Sequence, residues 1–277
     1  GAGDVIRNAV LGLALSVLPV ALASGQSRAA VALERNEFQQ WMGNSPISPH
    51  QAVAVHPIGA GLRIGPASAD VPLTGVAASR LVQDGGRIRL VTGSVSQPLA
   101  RGRPLALGQW QLLVTGPSGR ATVTVFTGQT RRGKPPEWFS YDSTLRFTVT
   151  LVASRRSEPV RLLAPDGVEV EANEAGTVGV PIDGAAHSLR VFRMPGLADE
   201  ESELEIYFRD ATSGRGTYPA GRFVSLIPAG GDRYLLDFNR ARNPFCAYNT
   251  VYPCPAPWRG NALAGPVRAG ERYRGEP

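Results

Sequence analysis

The stretch Trp110-Gln111-Leu112-Leu113-Val114-Thr115-Gly116-Pro117-Ser118-Gly119-Arg120-Ala121-Thr122-Val123-Thr124-Val125-Phe126-Thr127 decides the fold class. Two runs rich in Val, Thr, Leu and aromatic residues flank a Gly-Pro-Ser-Gly turn. β-Branched and aromatic side chains suit a pleated surface, and Gly and Pro set the dihedrals of tight turns. The stretch therefore reads as strand, turn, strand, over 110–115 and 121–127. Upstream, strands are expected at 51–55, 62–64, 87–92 and 104–107, punctuated by Asp84-Gly85-Gly86 and Arg101-Gly102-Arg103. Downstream, they are expected at 145–152, 168–171 after Pro165-Asp166-Gly167, 188–194 after Asp183-Gly184, 222–227 and 233–238. The acidic run 199–205 reads as the entry to another strand, because Leu204, Ile206 and Phe208 alternate through its end. Short strands at this spacing predict an all-β protein with two β-sandwich- or barrel-like halves, 28–130 and 131–277.

The 32 Gly and 23 Pro argue against long uninterrupted helices. One short helix is expected at 28–42, where Val31, Leu33, Phe38, Trp41 and Met42 fall on one side and Gly43-Asn44-Ser45-Pro46 ends the pattern. Trp41 is expected to pin that helix to a sheet. Residues 131–142, charged, then proline-stiffened, then aromatic (Trp138, Phe139, Tyr141), read as a loop docked on a surface between the halves.

Part of the first half resembles the forkhead-associated sandwich, on Arg63-Ile64-Gly65, Asp70-Val71-Pro72-Leu73 and Gly108-Gln109-Trp110. In that family an Arg follows the Ile-Gly and helps hold phosphothreonine. Here Pro66 stands there and no Ser-x-x-His follows, so the resemblance implies the fold without phosphopeptide reading.

The net charge is +6, and Lys134 is the only lysine. The arginines are scattered in ones and twos, as in Arg131-Arg132 and Arg155-Arg156, which reads as a solvated basic surface. No zinc-finger spacing and no basic, aromatic-studded motif points to nucleic acid. Residues 1–24 read as a secretory signal: Arg7, an apolar run from Ala9 to Ala23, and Ala21-Leu22-Ala23 as a small-x-small cleavage site. The run falls short of the roughly 20 apolar residues of a membrane span, so membrane contact is expected only through the uncleaved segment. No Cys follows it, which argues against a lipid anchor there. Gly1 stands where an initiating Met would, leaving room for residues upstream. The expected compartment is the periplasm or the exterior, where disulfides form. Cys246 and Cys254 are the only two cysteines, so one connectivity exists.

The candidate chemistry lies near the C-terminus. In a strand from Arg233, side chains alternate, so Asp237 and Asn239 leave it on one face. Asn243 precedes Pro244 and is biased to extended backbone. Two readings stand side by side. Asp237, Asn239 and Asn243 pair the buried backbone of an irregular loop, or they line a ligand site. No Gly-x-Ser-x-Gly elbow or His-Glu-x-x-His motif is present. His50, His56 and His187 lie far from the cysteines in sequence, so a zinc site is not expected, and a nucleophilic Cys lacks a base nearby in sequence.

The segments Phe208-Arg209-Asp210-Ala211-Thr212-Ser213-Gly214, Thr217-Tyr218, Arg222-Phe223, Asp237-Phe238-Asn239-Arg240-Ala241, Asn243-Pro244-Phe245-Cys246-Ala247-Tyr248, Cys254-Pro255, Asn261-Ala262-Leu263 and Ala269-Gly270-Glu271 closely resemble a bacterial family known as domain of unknown function 1684. The dense match runs over 206–273, with a looser one back through Trp138-Phe139 to Trp41. Members carry a longer segment around Gly-Leu-x-Trp-Leu where this chain has Gly59-Ala60-Gly61-Leu62. The resemblance implies no reaction and leaves any cofactor open. Two functions follow. One is an exported binding or structural module holding a small polar or anionic ligand, with Asp210, Tyr218, Arg222, Asp237, Asn239, Arg240, Asn243, Asn261 and Glu271 as lining candidates and a Cys246–Cys254 disulfide as clasp. The other is a carboxylate- or metal-assisted hydrolase built on Asp237, Asp210 and Glu271.

Overall fold

The computed structural model describes residues 23–128, 133–156, 158–195, 202–256, 258 and 260–275. The expected signal segment lies outside them except for its last two residues, as do Arg131, Arg132 and residues 199–201. The chain is all-β with one N-terminal helix, α1 (Ala23–Asn44). It extends further in both directions than the apolar pattern of 28–42. No helix among the described residues is long and apolar enough to cross a membrane.

The first half contains β1 (Ala52–Pro57), β2 (Leu62–Gly65), β3 (Val71–Pro72), β4 (Ser79–Asp84), β5 (Arg87–Thr92), β6 (Val95–Leu99), β7 (Leu105–Leu107), β8 (Trp110–Thr115) and β9 (Thr122–Thr127). They form a four-stranded sheet, β1-β9-β8-β7, and a five-stranded sheet, β3-β2-β4-β5-β6. Alternate side chains of both sheets, including Ile64, Leu81, Leu112, Val123 and Val125, fill one core. β8 and β9 fall where strands are expected, β9 starting one residue later at Thr122, and they form a hairpin that pairs Trp110 with Thr127 through to Thr115 with Thr122. β4 and β6 were not legible, because Arg80, Gln83, Ser96 and Pro98 interrupt their apolar alternation.

The second half contains β10 (Glu137–Trp138), β11 (Arg146–Thr150), β12 (Val152–Ala153), β13 (Val160–Leu163), β14 (Glu169–Ile182), β15 (Ala185–Pro195), β16 (Ser202–Phe208), β17 (Arg222–Pro228), β18 (Arg233–Asp237) and β19 (Glu271–Arg272). One sheet runs β11-β18-β17-β16-β15-β14-β12. β11 and β12 are consecutive in the chain, so the two ends of this sheet meet across Leu151 and it curls into a nearly closed barrel. Gly176 makes the closure possible. Its φ is +155°, and a Cβ there would lie 2.1 Å from the Val152 carbonyl oxygen.

β14 is 14 residues long where the sequence predicts a strand over 168–171. A bulge between Glu174 and Gly176 explains the miss. One extra residue reverses the faces. Val170 and Ala172 therefore pack with Phe192, Tyr207, Phe223 and Trp258 on the outer face, whereas Val178, Val180 and Ile182 point into the barrel. Ile206, Phe208, Val224, Leu236 and Phe238 complete the interior.

α1 departs from the sequence expectation in its partners. Leu33 is 56% exposed rather than on the packed side. Trp41 packs with Phe38 and Phe245, and the cluster also takes in Met42, Trp138 and Tyr248. Trp41 itself thus meets the loop after β18 at Phe245, while Phe38 and Arg35 of the helix reach Trp138 of β10.

Candidate functional site

β18 ends at Asp237, and the chain turns through a short 3-10 segment, Phe238–Arg240. Asp237 starts that turn: its Oδ1 accepts from the Asn239 N–H at 3.0 Å and from Asn239 Nδ2 at 2.8 Å. Asn239 then reaches the loop after β10. Its Oδ1 accepts from the Asp142 N–H at 2.8 Å and its Nδ2 donates to the Asp142 carbonyl at 2.7 Å. Arg240 pairs with Glu34 of α1 and lies 3.6 Å from Asp237 Oδ2. Arg35 of α1 donates to the Phe139 carbonyl at 2.9 Å and to the Asn239 carbonyl at 2.8 Å, with its guanidinium 4.9 Å over the Trp138 ring.

A second group surrounds Glu271. Its Oε2 accepts from the Asn243 N–H at 2.9 Å, and its Oε1 accepts from the Tyr248 hydroxyl. The preceding Gly270 has φ +74°, and a Cβ there would lie 2.6 Å from the Ala241 oxygen and 2.7 Å from the Phe238 oxygen. Glycine lets β19 approach the turn after β18 closely enough for the Glu271 N–H to donate to the Ala241 carbonyl at 2.8 Å.

The third group lies at the mouth of the barrel. Arg222, 1% exposed, bonds Asp210 Oδ2 at 2.9 Å, the carbonyls of Val267 at 2.8 Å and Glu271 at 3.2 Å, and that of Ala269. Asn261 holds both backbone groups of Arg190, accepting from its N–H at 2.8 Å and donating to its carbonyl at 2.9 Å, and it donates to the Tyr207 carbonyl at 3.1 Å.

Cys246 and Cys254 are joined by a disulfide with Cα atoms 5.5 Å apart. The Tyr218 hydroxyl lies 3.3 and 3.2 Å from their two sulfurs. Closing so short a loop contributes about 2–3 kcal/mol by the chain-entropy argument.

The structure thus gathers the sequence candidates into one end of the second half and buries most of them. Asp237 and Asn239 are 0% exposed, Asn261 and Glu271 1%, Asn243 4% and Asp210 7%. Their polar atoms are directed largely at the protein's own backbone. Among the described residues no three His, Cys, Asp or Glu side chains are grouped to hold a metal ion.

Two glutamates are held protonated into the neutral range. Burial pushes Glu271 up to about 7, against the pull of Tyr248, Asn243 and Arg242. Burial first, then the charges of Glu203 and Asp166, push Glu205 up to about 8. A carboxyl whose folded pKa is raised keeps a proton that the unfolded chain releases, so stability is lost as pH rises through the interval between the two values. His50, lowered by burial, acts oppositely only up to its unfolded pKa near ~6.5. Above pH ~7 the glutamates act without that opposition. Thermal melts should therefore show Tm falling between pH ~7 and ~8.5, and Glu205→Gln should flatten that fall, a relative gain of roughly 1–3 kcal/mol at the upper end. A Tm that climbs over this interval in the native protein contradicts the assignment.

Outside the buried network lies an open cleft of about 490 Å³, lined by Trp138, Phe139, Ser140, Tyr141, Asp142, Ser143, Arg268 and Arg272. Sequence reasoning flagged the aromatic loop but neither arginine, because nothing local separates Arg268 and Arg272 from the other scattered arginines. Glu34 and Arg35 were also missed. They are helix surface in sequence and become partners of the turn only when α1 docks.

Comparison with curated proteins yields no match. Among solved structures, the chain is similar to an uncharacterised protein of Haloarcula marismortui determined by solution NMR. The identity is 36%, covering 50% of this chain and 76% of that one, with a TM-score of 0.43. A family model described as "Protein of unknown function (DUF1684)" matches residues 135–272, the span that holds β10 to β19 and every one of the buried polar groups after β9 described above. Through residues 135–272 the chain belongs to that family.

Proposed function

We propose that this chain is an exported binding module whose C-terminal signature is the frame of a site for a small polar or anionic ligand. The observation that carries this reading is the direction of the signature's polar groups. Asp237, Asn239, Asn243, Asn261, Glu271 and Arg222 spend hydrogen bonds on the chain's own backbone or on one another. A general acid or nucleophile must reach substrate, and these groups are enclosed. They are well placed to hold loops in one geometry beside the open cleft, which lowers the ordering cost of binding. Export is supported by the apolar run before α1 and by the disulfide. The division into halves at 28–130 and 131–277 is part of the same proposal.

A hydrolase screen run beside a thermal-shift panel of small anions tests this reading. The expected result is a dose-dependent rise in Tm with at least one anion and no turnover. Turnover by the native protein that Asp237→Asn abolishes, with the variant still folded by circular dichroism, would instead establish carboxylate-assisted hydrolysis. The exported protein should carry no titratable thiol.

A further inference from the structure

Two arginines of the cleft have no acid partner. Arg268 is exposed, and Arg272 is half-buried with its guanidinium 5.1 Å over the Phe139 ring. Neither makes an ion pair among the described residues. The carboxylate in the lining, Asp142, has its Oδ1 held in its own turn, accepting from the Thr144 N–H at 2.9 Å and the Thr144 hydroxyl at 2.6 Å. Ser140 and Ser143 add exposed hydroxyls to the same rim.

Trp138 Nε1, Tyr141 Oη and Arg272 Nε are enclosed behind the lining and make no hydrogen bond within the protein. The donors open to the cleft are the Ser140 and Ser143 hydroxyls and the exposed Arg268 guanidinium. With Arg268 and Arg272 in its lining and Trp138, Phe139 and Tyr141 beside them, the cleft presents two guanidinium groups and two exposed hydroxyls over an aromatic floor.

Its walls are held from behind. β10 pairs Trp138 with Glu271 and Glu137 with Arg272, and the Phe139 N–H donates to the Gly270 carbonyl at 2.9 Å. Asn239 grips both backbone groups of Asp142, and Arg35 grips the Phe139 carbonyl. The buried signature thus fixes the positions of the loop 138–143 and of Arg272 relative to each other.

We propose that this cleft binds a phosphate monoester: Arg268 and Arg272 hold the oxyanion, the serine hydroxyls complete its hydrogen bonds, and Phe139 with Trp138 meets the ring or apolar body that carries it. Guanidinium forks match the oxygens of a phosphate, and a cation stacked on an aromatic ring keeps its edge free for such a fork. This rests on the binding-module reading and names the site and ligand class that it leaves open.

The test uses the full chain with phenyl phosphate as probe, inorganic phosphate as the anion alone and phenol as the body alone, read by calorimetric titration with a parallel assay for released phenol. Phenyl phosphate is expected to bind more tightly than inorganic phosphate, and phenol not measurably. Arg268→Gln and Arg272→Gln should each weaken phenyl phosphate about tenfold, whereas Arg87→Gln, an exposed arginine of β5 far in sequence from the cleft, should leave it unchanged. Equal binding by all three variants, or no binding by the native protein, overturns the proposal and leaves the module reading standing. Phenol release abolished by Arg272→Gln would keep the site and overturn the non-catalytic reading.

Discussion

Replacing Arg222 by methionine is expected to cost about 3–5 kcal/mol, enough to unfold much of the second half near room temperature. The side chain fills the mouth of the barrel at 1% exposure, lying 5.2 Å over the Phe208 ring. Its guanidinium forms an ion pair with Asp210 at 2.9 Å and collects carbonyls from Val267, Ala269 and Glu271. A methionine reproduces only the stem of the side chain and loses the guanidinium with every polar contact and its place over the Phe208 ring. Asp210 would remain buried without its counter-charge, and three carbonyls that close the barrel end would lose their donor. Asp210 would still accept from the Thr212 N–H at 2.7 Å and from the Val267 N–H at 3.1 Å, so its own turn has other support. Adding Asp210→Asn to Arg222→Met removes the stranded charge and should recover part of the loss. Denaturant unfolding of the two single variants and the double variant measures that coupling. A loss under about 1 kcal/mol for Arg222→Met would sink the account.

The second large effect concerns two asparagines that act as inserted peptide groups. An asparagine amide has one acceptor and one donor side, in the same order as a peptide bond. Asn261 uses both on Arg190, whose strand β15 is no longer paired with β16 at that level: the β15–β16 ladder ends at Phe192 with Glu205. The side chain fills the opening and also reaches the Tyr207 carbonyl. Asn239 does the same for Asp142, where no strand is available. Asn261→Asp and Asn239→Asp preserve shape but turn a donor into an acceptor against carbonyl oxygens. Each is expected to cost about 2–4 kcal/mol at pH ~7. Asn239→Asp should be the worse, because its new oxygen faces Asp237 Oδ1, now 2.8 Å from Asn239 Nδ2. Burial against acceptors raises the pKa of the new carboxyl and protonation restores one donor, so the penalty should shrink as pH falls from neutral towards ~4 and level off below it. If either variant melts with the native protein at neutral pH, the amide is not acting as an inserted peptide.

Much of the architecture was legible residue by residue. The β8–β9 hairpin follows from two β-branched runs around Gly116-Pro117-Ser118-Gly119. The placement of Tyr234 and Leu236 on the barrel face and of Asp237 on the other follows from period-two alternation, but the strand expected to carry it on to Asn239 ends at Asp237, and a 3-10 turn places Phe238 and Asn239. The disulfide follows from a count of two cysteines. β14 was not legible, because its bulge reverses the faces midway, and Gly176 beside that bulge reads in sequence as the end of a strand rather than as an irregularity within one.

The candidate site was legible as a set of residues but not as a geometry. Alternation along a strand says which way Asp237 leaves it. It carries no information on what stands there. That Asn239 meets Asp142, 97 positions away, and Arg240 meets Glu34, 206 away, is decided by packing of α1 and the loop after β10 on the end of the barrel. By itself, the sequence determined the all-β class, the helix, the hairpins and the cysteine pairing, since each depends on interactions between near neighbours. Only the tertiary structure decided that the signature faces inward, that α1 covers it, and that Arg268 and Arg272 share a cleft with Trp138 and Phe139. Those facts depend on long-range contacts, which local periodicity does not encode.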